Sequence, residues 1–135
     1  MLEIYIDGAS AGNPGPAGAG IYMKRGSAMW KESWPLPGMS NHEAEFHACL
    51  KALKRAEEEG FRIVSLRSDA KVLVEAVEKR HTKNKQFRPL LEEILHVMDT
   101  SFDHVFIKWI PSSRNGEADR LAKTAVQQSQ KEYKH

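Results

Sequence analysis

The hydrophobic pattern changes period along this chain in a fixed order, and that order limits the available folds more than any other feature. Residues 2–8 alternate Leu2, Ile4 and Ile6 with Glu3, Tyr5 and Asp7, a period of two with one wholly apolar face, which marks a strand. Asp7 therefore shares the opposite face with Tyr5. The stretch Ala11-Gly12-Asn13-Pro14-Gly15-Pro16-Ala17-Gly18 is turn chemistry, because Gly and Asn tolerate positive φ and Pro fixes its own. Short strands are expected at 21–24 and 28–34, around Arg25-Gly26-Ser27. The period then becomes helical. Ser40-Asn41-His42-Glu43 is a capping-box pattern, followed by Phe46, Cys49, Leu50 and Leu53 until Gly60, which predicts a helix over 40–59.

Ile63, Val64 and Leu66 form a fourth strand that ends at Ser68-Asp69, and Val72, Leu73, Ala76 and Val77 start a helix at once. A polar, basic connection over 79–88 leads to a helix at 88–99. Val105-Phe106-Ile107-Lys108-Trp109-Ile110 then reads as a nearly continuous apolar strand, as expected when both faces are covered. A last helix begins near Asn115 with the stripe Ala118, Leu121, Ala122 and Ala125, and the polar residues 127–135 are expected to fray. The order is βββαβααβα, an α/β domain over 1–128 with a polar tail at 129–135. The strand, helix, strand alternation favours parallel pairing in a mixed sheet.

Composition narrows the classes further. At 135 residues and 41% apolar content the chain is the size of one ordinary domain with a core of its own. It has no apolar run long enough to span a bilayer and no charged-then-apolar start, so the expected location is the cytoplasm. The single Cys49 lies on the apolar stripe of the first helix and reads as core. Twenty Lys and Arg against 18 Asp and Glu leave a net charge of only +2. Five cations, Lys79, Arg80, Lys83, Lys85 and Arg88, fall in one connector, so the rest of the chain is net acidic and this segment is where phosphates would be met.

Four carboxylates occur where the elements of an α/β fold meet. Strands are depleted in Asp, so Asp7 needs a reason, and a strand-ending turn is one. Asp69 could cap the helix that follows it. The capping box gives Glu43 a structural role and leaves Glu45 without one, at the border of the apolar stripe. Asp119 sits one turn into the last helix, where the macrodipole favours a negative charge. Sites in α/β sheets form beyond strand ends where elements converge. Carboxylates that converge and stay ionised at neutral pH imply divalent cations, and an all-oxygen set suits magnesium or manganese rather than zinc.

Taken together, Asp7-Gly8-Ala9-Ser10-Ala11-Gly12-Asn13-Pro14-Gly15-Pro16, Ser40-Asn41-His42-Glu43-Ala44-Glu45-Phe46, Ser68-Asp69, Trp109-Ile110 and Asn115-Gly116-Glu117-Ala118-Asp119-Arg120-Leu121-Ala122 resemble ribonuclease H of type I over nearly the whole chain. The resemblance implies a ribonuclease-H-like mixed five-stranded sheet with helices on both faces. It implies an Asp-Glu-Asp-Asp site on Asp7, Glu45, Asp69 and Asp119 that holds two magnesium ions, with manganese as the other candidate. One ion acidifies an attacking water and the other stabilises the leaving 3′ oxygen, the two about 4 Å apart. The implied reaction is endonucleolytic cleavage of the RNA strand of an RNA–DNA hybrid, leaving 5′-phosphate and 3′-hydroxyl ends, by a monomer with no membrane partner. No segment precedes Met1 that could form a hybrid-binding domain, so low processivity is expected.

By the same resemblance Ser10, Asn13 and Asn41 stand where the family touches the RNA strand, and Ser40 where it grips a DNA phosphate. Asn13-Pro14-Gly15 also reads as a turn and Ser40 as an N-cap. His42, Ala70 and Lys71 depart from the family's polar pattern. The basic connector resembles a reduced form of the family's basic handle, too short for the extra helix, and Phe87 within it reads as a core anchor. Between Trp109 and Asn115 the family commonly carries a histidine-bearing loop, where this chain has only Ile110-Pro111-Ser112-Ser113-Arg114. Arg114 is the candidate substitute, grouped with Asn115 as substrate-binding. The histidines at 42, 47, 81, 96, 104 and 135 show no metal-ligand spacing, and the Gly-rich segment lacks the Gly-Lys-Ser/Thr of a P-loop. The alternative function is a catalytically weak module of this fold that binds hybrid or structured RNA.

Overall fold

The computed structural model describes residues 1–133. Three strands open the chain: β1 (Leu2–Ser10), β2 (Gly15–Arg25) and β3 (Ala28–Met39). They are followed by α1 (Asn41–Glu58), β4 (Ile63–Ser68), α2 (Lys71–Lys79), α3 (Arg88–Ser101), β5 (His104–Trp109) and, after a single 3-10 turn at Ser112–Arg114, α4 (Gly116–Tyr133). This is the order the hydrophobic periods predict. The strands lie in one sheet in the order β3-β2-β1-β4-β5, antiparallel across the first three and parallel from β1 through β4 to β5. The sheet is the mixed five-stranded kind, and none of the described helices is long and apolar enough to cross a membrane.

β1 is the central strand, and its alternation assigns the faces. Leu2, Ile4 and Ile6 are essentially buried under α1, joined by Val64 and Leu66 from β4. Phe46, Cys49 and Leu53 of α1 complete this layer, and Phe87 stacks on Phe46 with ring centroids 4.9 Å apart, as a core anchor. α4 covers the other face over β2 and β3.

Three glycines, Gly8, Gly18 and Gly20, set how closely the helices approach. A Cβ on Gly8 would stand 2.3 Å from the backbone carbon of Ala44, so α1 rests directly on β1 there. A Cβ on Gly20 would stand 2.1 Å from the Ala118 carbonyl oxygen, so the start of α4 rests directly on β2.

Three features depart from the sequence-based expectations. β2 begins at Gly15 and β3 runs on to Met39, because the small residues of 15–20 read as turn formers but serve as a floor for α4 while pairing on both sides. The last helix continues through most of the expected tail, to Tyr133, because Ser129 is buried and its hydroxyl donates to the Leu36 carbonyl at 2.8 Å. Lys134 and His135 lie outside the described residues. β5 is an edge strand with only one face covered. Val105 and Ile107 pack inward, while Phe106 is 53% exposed, because α4 stops short of that half of the sheet.

The packing generates a graded prediction. Gly8→Ala and Gly20→Ala force a methyl into backbone and should each lower stability by about 3 kcal/mol. Gly26→Ala, at φ 59° with nothing within 4 Å, should lose about 1 kcal/mol through backbone strain alone. Urea unfolding midpoints of the three variants measure the order.

Candidate active site

Each carboxylate reaches the same end of the sheet by a separate route. Asp7 lies on the α4 side of β1, opposite Gly20 of β2, and one of its oxygens accepts the Gly8 N–H at 3.0 Å. Glu45 follows Ala44 in α1, where that helix touches Gly8, so the glycine contact places Glu45 beside Asp7. In β4, Ser68 is level with Ile6 of β1, which brings Asp69 level with Asp7 across a parallel pair. Asp69 does not cap α2. The cap position is Ala70, whose N–H is taken by Ser68 Oγ at 3.0 Å. Asp119 sits in the first turn of α4, its N–H donating to the Asn115 carbonyl. Asn115 is buried, and its amide donates to the Ile6 carbonyl at 2.8 Å, fastening the start of α4 to the residue before Asp7.

The capping box forms as its spacing predicts: Ser40 Oγ accepts the Glu43 N–H at 3.2 Å while a Glu43 carboxylate oxygen accepts the Ser40 N–H at 3.3 Å. Glu43 is thereby occupied, and Glu45 is the glutamate left to face the other carboxylates.

Burial first, and crowding of like charges after it, raise Asp7, Glu45 and Asp69 above their ordinary range. Burial, then the charges of Asp69 and Asp119, push Asp7 up to about 7. Burial, then the charges of Asp7 and Asp69, push Glu45 up to about 8. Asp69 is raised as well, chiefly by burial, against the opposing pull of a hydrogen bond from Asn115. Lys123, one turn beyond Asp119, places its Nζ 3.0 Å from Asp119 Oδ2 and supplies a cation at the rim of the group. The i, i+4 spacing from Asp119 was the available signal for this lysine in the sequence, and the sequence reading missed it. His42 Nδ1 and Glu45 Oε1 share a hydrogen bond of 3.0 Å.

The donor set fits hard divalent cations. It consists of carboxylate oxygens from four elements, with the Asn115 Oδ1 buried and unpartnered beside them. Among the described residues no three His, Cys, Asp or Glu side chains are gathered into a ready chelate. A divalent cation is the group that would offset the like charges gathered there.

The substrate candidates divide. Asn41 Oδ1 accepts the Ser10 N–H at 2.7 Å, which brings those two residues together on the site end of the sheet. The Ser10 hydroxyl turns inward to the Met39 carbonyl at 2.7 Å, so Ser10 offers structure more than a free hydroxyl. Asn13 and Asn41 are exposed, and Ser40 is half-buried at its cap. Arg114 is exposed at the end of the 3-10 turn, whereas Asn115 is 1% exposed and turned to Ile6. The geometry therefore makes Asn115 a positioning residue, although its motif grouped it with substrate contacts.

A pH dependence follows with a definite sign. Asp7 and Glu45 have raised values in the folded protein, so their contribution to metal-free stability is full below the ordinary carboxylate range and is lost as pH rises through about 7 and 8. The metal-free Tm should fall between about pH 5 and pH 9. Asp7→Asn should flatten that fall and raise the Tm near the alkaline end by roughly 5 °C. Calorimetry in chelator measures both.

Comparison with known proteins places this arrangement. The family model described as Reverse transcriptase-like matches residues 6–125, a span that contains all four carboxylates. An Enterococcus faecalis protein named "Putative hydrolase EbsB" is 40% identical over 129 residues, covering 94% of this chain and 95% of that one. The Ribonuclease HI of Halobacterium salinarum is 34% identical over 131 residues, covering 93% of this chain and 64% of the relative. The solved RNase H1 of Halobacterium salinarum superposes with a TM-score of 0.88 at 29% identity, over 94% of this chain and 98% of that one. The N-terminal RNase H domain of rv2228c from Mycobacterium tuberculosis superposes with a TM-score of 0.90 at 27% identity, over 98% and 97% of the two chains. In sequence, in sheet order and in the span that holds its carboxylates, the chain belongs to the Reverse transcriptase-like, ribonuclease-H-like family.

Proposed function

We propose that this protein is a ribonuclease H: an endonuclease that hydrolyses the RNA strand of RNA–DNA hybrids with divalent cations held by Asp7, Glu45, Asp69 and Asp119. The observation that carries the reading is the convergence of these four groups at one sheet end, where Asp7 and Glu45 are destabilised as anions. Relatives named Ribonuclease H or Ribonuclease HI support the reaction class. When bound, magnesium or manganese supplies an acidified water and charge stabilisation for the departing 3′ oxygen. The chain's own residues orient the phosphodiester and keep the carboxylates in register. Asn115 ties Asp119's helix to β1, Gly8 admits the backbone that carries Glu45, and Lys123 pairs with Asp119 at the rim. All four carboxylates come from one chain, which supports a monomer as the acting form.

The substrate reading rests on the same end of the sheet. Asn13 and Asn41 expose short amides there, of the kind that can bond the 2′-hydroxyl, which distinguishes RNA from DNA. The connector between α2 and α3 exposes Lys79, Lys83, Lys85 and Arg88, while Arg80 is paired with Asp99 at its edge. Polyanion binding through exposed cations of this kind is salt-dependent.

The deciding experiment is incubation with labelled hybrid, RNA duplex and DNA duplex in magnesium, manganese or chelator. The RNA strand of the hybrid should be cut with either metal, the DNA duplex should stay intact, and chelator should abolish cleavage. Cleavage that survives chelator would remove the metal mechanism. Binding of hybrid without cutting in either metal would favour the weak binding module. Asp7→Asn should lower the cleavage rate by about three orders of magnitude or more while hybrid binding persists. Arg114→Ala should reduce kcat about tenfold and leave KM nearly unchanged if the short 110–115 link has handed the family histidine's task to Arg114. An unchanged kcat leaves Arg114 as a turn residue.

A further inference from the structure

The half of the sheet that α4 leaves bare carries a built pattern. Register places Lys31, Tyr22, Tyr5, Arg67 and Lys108 in one row across all five strands. The α4 contact at Gly20 lies one pleat nearer the active site, and α4 begins at Gly116, so this row lies beyond its end. Within the row the Tyr5 and Tyr22 rings are 5.8 Å apart, Arg67 lies 5.3 Å from the Tyr5 ring, and Lys31 lies 5.8 Å from the Tyr22 ring. In the next row Lys24 and Phe106 flank Glu3 and Ser65. Phe106 is 53% exposed and stacked on His104 with centroids 6.0 Å apart, forming an aromatic step at the open edge.

The acids on this face are already answered. Glu3 is held by Arg67 at 2.7 Å and Lys24 at 3.6 Å, and Glu117 by Lys31 at 3.2 Å. Four cations against two carboxylates leave the face positive. Tyr5 and Arg67 stand two residues before Asp7 and Asp69 on the same strand faces, so the face leads directly into the carboxylate group.

We propose that this open sheet face binds single-stranded polynucleotide, separately from the duplex held at the carboxylates. Phe106 and His104 give unpaired bases a stacking platform, and Lys108, Arg67 and Lys24 track the phosphates. Exposed rings interleaved with cations on a sheet select single strands, because only unpaired bases offer their faces. The acid pairing on the face argues against a basic partner, and the rings exceed what a purely electrostatic contact with an acidic peptide uses.

The test needs no cleavage and so is independent of the ribonuclease reading. Fluorescence anisotropy in chelator would follow labelled oligouridylate, oligothymidylate and an abasic strand of the same length on the full chain. Both base-bearing strands should bind, and the abasic strand about tenfold more weakly. Phe106→Ala should lower affinity for the base-bearing strands about tenfold and leave the abasic strand unaffected. Lys108→Glu should weaken all three. Melting curves verify that these exposed substitutions leave the fold intact. Base-bearing affinities unchanged in Phe106→Ala and Lys108→Glu would overturn the proposal, as would loss of binding in Lys83→Glu alone. Equal competition by polyglutamate would assign the face to an acidic protein instead.

Discussion

The approach of two helices to bare backbone at Gly8 and Gly20 is the constraint on which the rest of this structure depends. Side chains normally hold a helix away from a sheet. Here α1 rests on β1 and α4 on β2 with no side chain between them, at separations that leave no room for even a methyl group. Glu45 and Asp119 ride on those two helices. Their placement beside Asp7 is thus set by glycine contacts between backbones. The buried layer of Leu2, Ile4, Ile6, Phe46 and Leu53 supplies the hydrophobic drive that keeps α1 pressed into place.

That scaffold holds a charge arrangement the metal-free protein does not favour. Burial raises Asp7 and Glu45, and the neighbouring carboxylates raise them further. Asp119 has Lys123 as partner, Asp69 has the Asn115 amide, and Glu45 shares a hydrogen bond with His42. Asp7, on the central strand, accepts the adjacent Gly8 N–H. Asp7 and Glu45, the two most strongly raised, lie where carboxylates from both helices and both central strands meet. Divalent cations are the natural complement of such a site.

The two faces of the sheet are unequally used. The side that meets α1 is closed by apolar packing and is the source of stability. The other side is covered by α4 over β2 and β3 but open over β4 and β5, and its exposed rows are aromatic and basic where a core would be aliphatic. Exposed or half-buried cations are consequently found in two places, the connector between α2 and α3 and the bare half of the sheet. A near-neutral chain thus gathers nine of its 20 Lys and Arg on these two surfaces.

The alternation at 2–8, the capping box at Ser40 to Glu43 and the stripe through Phe46, Cys49 and Leu53 determined the element order and the buried side of β1, because each is a local pattern whose period is fixed by backbone geometry. The same patterns singled out Glu45, left over once Glu43 was accounted for, and Asp7, an acid in an apolar strand. Where local chemistry is ambiguous the sequence misled: glycine and proline at 15–20 signal turns whether they bend the chain or floor a helix, and polar residues past 126 signal fraying whether or not a serine among them is buried. The openness of β5 was also hidden, since Val105 to Ile110 reads the same under one helix layer as under two. Whether Asp7, Glu45, Asp69 and Asp119 meet was decided by tertiary structure alone. Their meeting requires the parallel register of β1 with β4, the backbone contacts at Gly8 and Gly20, and the Asn115 bond to Ile6, all of which join residues far apart in the chain, and spacing along a chain carries no information about such contacts until the sheet has formed.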